Sequence, residues 1–140
     1  MANEKIMVKL EKGRAEFAYK CVLDAKERVF SNNKEKQKDY KSYVRKIPAM
    51  ILSNGLGQTL AFVKAKSDKG NAYELIYKQI TEYLKSEHPT RIRMPNEKNE
   101  LVEWVITRDS VNYKYITKEV LAFLNWLRRF AEGLIEGEKE

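Results

Sequence analysis

The residue types that carry out most enzyme chemistry are scarce in this chain. Among 140 residues there is one histidine, His88, and one cysteine, Cys21. A zinc site usually needs three or four ligands at close spacing, so an isolated His88 ahead of Pro89 predicts an exposed loop residue. Cys21 lies four residues from both Phe17 and Ala25 on an apolar helical stripe. That position favours a small core residue over a nucleophile.

Two catalytic signatures fail on their spacing. Some helical ribonucleases pair an arginine with a histidine a few residues later, but the nearest arginine before His88 is Arg45. The Gly55-Leu56-Gly57 run lacks the third glycine of a dinucleotide-binding loop, because position 60 is leucine, and no strand is predicted before it. The run instead predicts a tight turn between two helices.

Carboxylates that share a helix face are typical of solvated surfaces unless they are buried. Such sets occur at Asp24/Glu27, Glu97/Glu100/Glu103 and Glu132/Glu136. We therefore predict that the chain is not an enzyme and needs no metal or cofactor. A helical nuclease is kept as an alternative, and the scarcity of histidine counts against it.

Basic side chains interleaved with aromatic ones are the pattern that remains. The segment Tyr40-Lys41-Ser42-Tyr43-Val44-Arg45-Lys46 is the clearest case. Lys41 and Arg45 are one helical turn apart and share a face, and Tyr43 and Lys46 lie to one side of it. Lysine and arginine can hold phosphates, and Tyr43 can stack on a base. An ordinary amphipathic helix with a hydrated basic side would give the same pattern.

The candidate nucleic-acid-binding residues form three groups along the chain. They are Lys41, Tyr43, Arg45 and Lys46 in the first group, Lys64, Lys66 and Lys69 in the second, and Arg128 and Arg129 in the third. Lys34, Lys36 and Lys38 add charge beside the first group.

The overall charge agrees with an anionic partner. The formal net charge is +7 and the pI is near 9.4. Residues 1–46 carry +6, residues 47–96 carry +3, and residues 97–140 carry −2. A basic surface attracts polyanions through counterion release.

Three features of the sequence predict where the protein is found. No apolar run is long enough to span a membrane, and the N-terminal residues do not resemble a secretory signal. A single cysteine cannot form an internal disulfide. We therefore expect a cytoplasmic protein.

The apolar spacing predicts an all-α fold of about six helices in a single domain, residues 1–140, ending in a flexible acidic tail at residues 136–140. Ser31 to Asp39 has no apolar residue and is predicted to be a polar link. Pro48 predicts a kink or a new helix start, and Asn71 with Glu74 predicts a helix cap. The helices are predicted at about residues 4–30, 37–53, 57–66, 71–86, 97–107 and 111–135.

Four segments resemble one known family, the small α-helical subunit of the Cmr-type (type III-B) CRISPR RNA-guided effector complex. The most specific is the run from Ile47 to Phe62, IPAMILSNGLGQTLAF. The others are Arg14-Ala15 with Ala18-Tyr19, the Tyr43-Val44-Arg45-Lys46 run, and the run from Phe123 to Gly133. The order and spacing of these segments agree with the family over nearly the whole chain.

The resemblance implies an all-α subunit without catalytic residues of its own, acting in antiviral defence. It implies that copies of the subunit stack into a short filament beside the RAMP-type backbone subunit and the large subunit. It also implies that the subunit helps to shape the groove for target RNA paired with guide RNA. Trp126 and Phe130 are expected to be core or interface anchors. A freestanding helical RNA- or DNA-binding protein is the alternative.

Overall fold

The computed structural model describes residues 2–137, with side chains from residue 8 onward. It has helices where the apolar spacing of the sequence is helical. Its described residues contain no strand, and the prediction of an all-α fold is confirmed. A π-helical segment, Ala25–Val29, continues the first helix. The α-helices are α1 (Ala2–Asp24), α2 (Lys34–Asn54), α3 (Leu56–Lys66), α4 (Ala72–Lys85), α5 (Leu101–Ile106) and α6 (Ser110–Leu134).

Side-chain caps set the starts of three helices. The side chain of Asn33 accepts a hydrogen bond from the Lys36 amide at 3.0 Å, and Asn71 does the same for Glu74 at 2.9 Å. Asp109 caps α6 in the same way, and this hydrogen bonding lowers its pKa. The cap at Asn71 was predicted and is confirmed. The predicted polar link is wrong for residues 34–39, because the cap at Asn33 starts α2 there.

The connection between α2 and α3 needs a glycine. Gly55 has a φ of +88°, a conformation that costs a side chain with a Cβ, and it ends α2 as predicted. The Gly57 amide donates a hydrogen bond to the Tyr113 hydroxyl at 2.8 Å, which ties this corner to the start of α6. Pro48 does not begin a new helix, since α2 continues through it.

The last helix lies at the centre of the bundle. α6 packs mainly against α1 and α2, and it also contacts α4 and α5. Phe123 of α6 is fully buried and stacks on Tyr83 of α4, with ring centroids 4.5 Å apart.

His88 is half-buried, and its ring contacts that of Phe17 edge-on, with centroids 5.7 Å apart. The expectation of an exposed loop residue is therefore wrong. The aromatic neighbours of His88 hold it against the bundle.

Three helices meet at one buried amide. The Tyr40 hydroxyl of α2 donates a hydrogen bond to Gln79 Oε1 of α4 at 2.6 Å. Gln79 Nε2 in turn donates to the main-chain carbonyl of Cys21 in α1 at 2.9 Å. Tyr40 is fully buried and Gln79 is 3% exposed, so neither group can exchange its partner for water. Burial also raises the pKa of Tyr40 well above its ordinary value.

A second polar cluster joins α1, α4 and α6. The Tyr83 hydroxyl accepts a hydrogen bond from Arg14 Nε at 3.0 Å and donates one to Glu119 Oε1 at 2.7 Å. Arg14 also forms an ion pair with Glu119 at 3.2 Å. These contacts give Arg14, part of a family-like segment, a role in holding the helices together.

We predict that Tyr40→Phe lowers the free energy of unfolding by about 1–3 kcal/mol, because it leaves the Gln79 carbonyl oxygen buried without its donor. Urea unfolding followed by circular dichroism measures this. Tyr115→Phe is the matched control: Tyr115 is 37% exposed, and its loss of a hydroxyl should change stability by less than about 0.5 kcal/mol. Equal effects of the two substitutions would contradict the assigned role of Tyr40.

Candidate nucleic-acid interface

The core side of α2 determines which of its cations reach the surface. Tyr40, Val44, Ile47 and Ile51 are buried, so the polar residues are divided between the two flanks of the helix. We call the flank with Lys34, Lys38, Lys41 and Arg45 the tail-side row. We call the flank with Lys36, Tyr43 and Lys46 the loop-side row.

Aromatic stacking fixes the centre of the loop-side row. Tyr43 stacks on Tyr73 of α4, with centroids 4.0 Å apart and rings 10° from parallel. Lys46 Nζ lies 4.9 Å from the Tyr43 centroid and 5.6 Å from the Tyr73 centroid. An ammonium on the outer face of the Tyr43 ring would lie much farther from Tyr73 than from Tyr43. The two similar distances therefore place the Lys46 ammonium at the side of the stacked pair. One face of Tyr43, a predicted base-stacking residue, is therefore occupied by Tyr73.

The end of α3, the loop that follows it and the start of α2 add lysines to the same surface. Phe62 contacts Tyr73 edge-on at 5.8 Å, and Lys66 Nζ lies 5.8 Å from the Phe62 centroid. Lys36 Nζ donates a hydrogen bond to the Gly70 carbonyl at 3.0 Å. Lys69 is exposed in the loop itself. We define the loop-side patch as Lys36, Lys46, Lys66 and Lys69 around Tyr43, Phe62 and Tyr73.

Lys64 does not belong to this patch. It forms an ion pair with Glu100 at 3.1 Å, and its ammonium lies 5.2 Å from the Tyr77 centroid. The Tyr77 hydroxyl also donates a hydrogen bond to Glu100, which together with Lys64 lowers the pKa of that carboxyl. Lys64 and Lys66 are two positions apart in the helix, about 200° of rotation, so their side chains lie on different sides of α3.

Lys41 is not the exposed cation that the sequence predicted. It is 7% exposed, and its Nζ donates hydrogen bonds to the Ile135 carbonyl at 3.0 Å and the Gly137 carbonyl at 2.7 Å. The chain beyond α6 folds over this end of α2 and covers it. Arg45, one turn further along the same flank, is exposed. Residues 138–140 of the predicted acidic tail lie outside the described residues.

Arg128 and Arg129 lie on a separate surface formed by α1 and α6. Arg128 is half-buried and Arg129 is exposed, and both line a groove beside Trp126. Trp126 Nε1 donates a hydrogen bond to Glu11 Oε1 at 2.5 Å, and its ring stacks on Phe130 at 5.6 Å. The half-buried Trp126 anchors α1 against α6. This surface offers aromatic area as well as charge.

Groups suited to catalysis do not come together in the described residues. No three of their histidine, cysteine, aspartate or glutamate side chains are placed to hold a metal ion. Burial, assisted by nearby Glu82 and Asp24, raises the pKa of the Cys21 thiol to about 12. In the part of the chain that the structure describes, no helix is both long and apolar enough to cross a membrane.

The sequence analysis missed two members of the loop-side patch. Neither Phe62 nor Tyr73 was a predicted site residue. Tyr73 contacts both Tyr43 and Phe62, and these contacts join different helices. Lys36 was noted for its charge, but its position beside Gly70 was not predicted. No local spacing signals such contacts, because three helices must pack before they form.

The comparisons with known proteins agree with one another. The sequence model of the family described as CRISPR-associated protein (Cas_Cmr5) matches residues 10–134. A relative, the CRISPR system Cmr subunit Cmr5 of Thermus thermophilus, is 29% identical over 98 residues, which cover 70% of this chain and 76% of the relative. The crystal structure of a CRISPR-associated Cmr5 family protein from the same organism superposes with a TM-score of 0.68 at 27% identity, covering 91% of this chain and 97% of that one.

We predict that Cys21 in the folded protein resists alkylation. Burial raises the pKa of this thiol to about 12, so a far smaller share of it is ionised at pH 8 than of an ordinary cysteine. Iodoacetamide labelling followed by mass spectrometry should be slow in buffer and fast in urea. Because folding raises this pKa, the thiol also makes the folded state less stable as the pH rises above about 8.5. Prompt labelling of the folded protein at pH 8 would contradict the raised pKa of the partly buried thiol.

Proposed function

Because the chain belongs to the Cas_Cmr5 family of CRISPR-associated proteins, we propose that it is a non-catalytic small subunit of a Cmr-type CRISPR effector complex. In this proposal it scaffolds the complex and contributes basic surface to the groove that accommodates target RNA paired with guide RNA. The single observation that carries the RNA role is the loop-side patch, where Lys46 and Lys66 lie beside a packed aromatic cluster and Lys36 and Lys69 lie at the adjoining loop.

The chemistry of the loop-side patch suits a phosphate backbone. Lysines act as point charges on phosphates, and their affinity comes largely from the release of counterions. The aromatic cluster gives the patch a fixed base, since Tyr43 and Phe62 both contact the 8%-exposed Tyr73. Neighbouring Glu74 accepts a hydrogen bond from the Gly70 amide at 2.9 Å, which holds that carboxylate at the loop backbone. The patch has no arrangement that reads base edges, so we expect little sequence preference.

The proposed partners are the other Cmr subunits, including the large subunit and the RAMP-type backbone subunit, and further copies of this chain in a short filament. The surface of α1 and α6 is suited to protein contacts. Tyr19 is 41% exposed and meets Phe130 edge-on at 5.3 Å, close to Trp126. Aromatic residues and arginine, here Arg129, are enriched at protein–protein interfaces.

We predict that Lys46→Glu, Lys66→Glu and Lys69→Glu together weaken capture of target RNA by the reconstituted complex and flatten its salt dependence. Each lost phosphate contact should lower the slope of log affinity against log salt by about 0.7. The control variant Lys78→Glu, Lys98→Glu and Lys114→Glu makes the same charge change at exposed residues elsewhere. Fluorescence anisotropy at several salt concentrations compares the two.

The outcomes of this comparison are distinct. Both variants should fold and join the complex, because all six lysines are exposed and substitutions at exposed residues usually change stability by no more than about 0.5 kcal/mol. Equal weakening by both variants would mean that net charge alone matters, and the loop-side patch would not be part of the groove. Tight, sequence-selective binding by the isolated chain would favour the alternative, a freestanding helical RNA- or DNA-binding protein.

We predict that the isolated protein leaves RNA intact. Labelled single-stranded RNA incubated with the chain and Mg²⁺ or Mn²⁺ should remain full length on a denaturing gel. The physical reason is that Cys21 is held as a thiol and His88 packs among aromatic rings. Cleavage that persists through purification and disappears with heat denaturation would instead support the nuclease alternative.

A further inference from the structure

A groove between α1 and α6 has a volume of about 570 Å³. It is lined by Glu11 of α1 and by Ala122, Asn125, Trp126, Arg128 and Arg129 of α6. Binding pockets in proteins span about 300–1,000 Å³, so the groove has room for the side chains of a docking segment. It combines apolar area on Ala122 and Trp126 with the charge of two arginines.

Glu11 does not neutralise the arginines of the groove. Its Oε1 accepts a hydrogen bond from Trp126 Nε1 at 2.5 Å, and its Oε2 forms an ion pair with Arg14 at 2.7 Å. Both oxygens of this carboxylate therefore have partners already, and neither partner is Arg128 or Arg129. The acidic group of the groove serves to hold Trp126 in place.

Arg128 carries a buried donor that lacks an acceptor. Its Nε atom is buried and makes no hydrogen bond. Among the residues that the structure describes, no carboxylate forms an ion pair with Arg128 or Arg129. A buried charged donor without an acceptor is destabilising, and native proteins contain few such groups. The groove therefore holds positive charge that suits an acidic partner.

An aromatic row continues from this groove to a second hollow of about 250 Å³. Trp126 stacks on Phe130 with ring centroids 5.6 Å apart, and Phe130 meets Tyr19 edge-on at 5.3 Å. Tyr19 is 41% exposed, and the other two rings are half-buried. The second hollow is lined by Lys12, Ala15, Glu16, Tyr19, Lys20 and Phe130. Open ring area thus lies directly beside the two arginines.

We propose that the groove between α1 and α6 docks an acidic segment of another subunit of the effector complex. A carboxylate of the partner accepts hydrogen bonds from Arg128 and Arg129, and a neighbouring apolar side chain packs on the aromatic row. Arginine binds carboxylates through paired hydrogen bonds, and tryptophan, tyrosine and arginine dominate the energetics of many protein interfaces. The inference rests on the proposed function and adds the chemistry of the partner.

A protein segment fits the groove better than nucleic acid does. Phe130 covers one face of the Trp126 ring, and the indole N–H is already bound to Glu11, so little of this ring is free to stack on a base. Single-stranded nucleic acid binds along rows of exposed cations with open aromatic faces. The groove instead offers one exposed arginine, one half-buried arginine and apolar walls.

The first test is Arg128→Met together with Arg129→Met, which keeps the apolar stems and removes both guanidinium groups. This groove variant should join a reconstituted complex that lacks the small subunit at least about tenfold more weakly than the wild type, because it removes the charge that recognises the partner. Arg91→Met with Arg93→Met makes the same charge change at exposed residues elsewhere and should have little effect. Surface plasmon resonance on the immobilised complex compares the three proteins.

The stability of the isolated protein separates docking from a structural role. Because Arg128 Nε has no acceptor in the free chain, Arg128→Met should leave the urea midpoint of unfolding unchanged or raise it. A docking residue thus weakens assembly when it is lost without weakening the fold. A clearly lower midpoint would make Arg128 a support of the fold and would overturn the proposal.

The outcomes distinguish this inference from the proposed function. If the wild type does not join the complex, the proposed function fails and the docking site fails with it. If the groove variant joins as well as the wild type, the docking site fails and the proposed function stands. Normal joining with a selective loss of single-stranded RNA binding would assign the groove to nucleic acid, and normal joining with a loss of self-association would assign it to a second copy. Either result overturns the proposal.

A photo-crosslinker identifies the partner segment. Asn125→Cys places a thiol at an exposed position of the groove for coupling to benzophenone maleimide. Irradiation of the assembled complex followed by mass spectrometry should yield a peptide of another subunit with an aspartate or glutamate beside the crosslink. Conversion of that carboxylate to its amide should weaken joining, and combining it with the groove variant should add little further loss. Fully additive losses would show that the two groups do not meet and would overturn the proposed contact.

Discussion

The buried amide of Gln79 is the constraint on which the arrangement of the helices depends. A buried amide must satisfy its donor and its acceptor at once, and here it does so with Tyr40 on one side and the Cys21 carbonyl on the other. A rotation of α2 or a shift of α4 by one residue would break one of these hydrogen bonds, and no water molecule could replace the lost partner at this buried position. Apolar contacts would tolerate such a shift far better, because they are not directional.

The orientation of α2 then decides what its cations can do. With Tyr40 directed inward, Lys46 lies on the flank beside Tyr73, and Lys41 lies on the flank beneath the end of α6. The two lysines are five residues apart in one helix, yet one stands beside an aromatic stack and the other is buried under backbone carbonyls. Their difference comes from the elements that pack on each flank and not from the local sequence.

The sequence predicted the local features of the fold well. The cap at Asn71 and the stop at Gly55 depend on nearby atoms, and both were found where their residue types require them. The start of α2 was missed because residues 34–39 carry no apolar side chain, although Asn33 is a good cap. The burial of Lys41 could not be predicted, since its partners lie 94 and 96 residues away. The family resemblance was confirmed, but it supplied no contact residues.

The pairing of the first and last helices has a consequence for how the protein is made. α1 packs along α6, and Lys41 reaches its two carbonyls only when Ile135 and Gly137, which follow α6, are present. During synthesis the ribosome releases α1 to α5 before their central partner exists. The apolar faces of α1 and α2 that pack on α6 then have no permanent cover until α6 has been made, because contacts between distant segments form late. A nascent chain of this design depends on rapid synthesis of α6, and a ribosome that stalls before α6 would leave an aggregation-prone fragment.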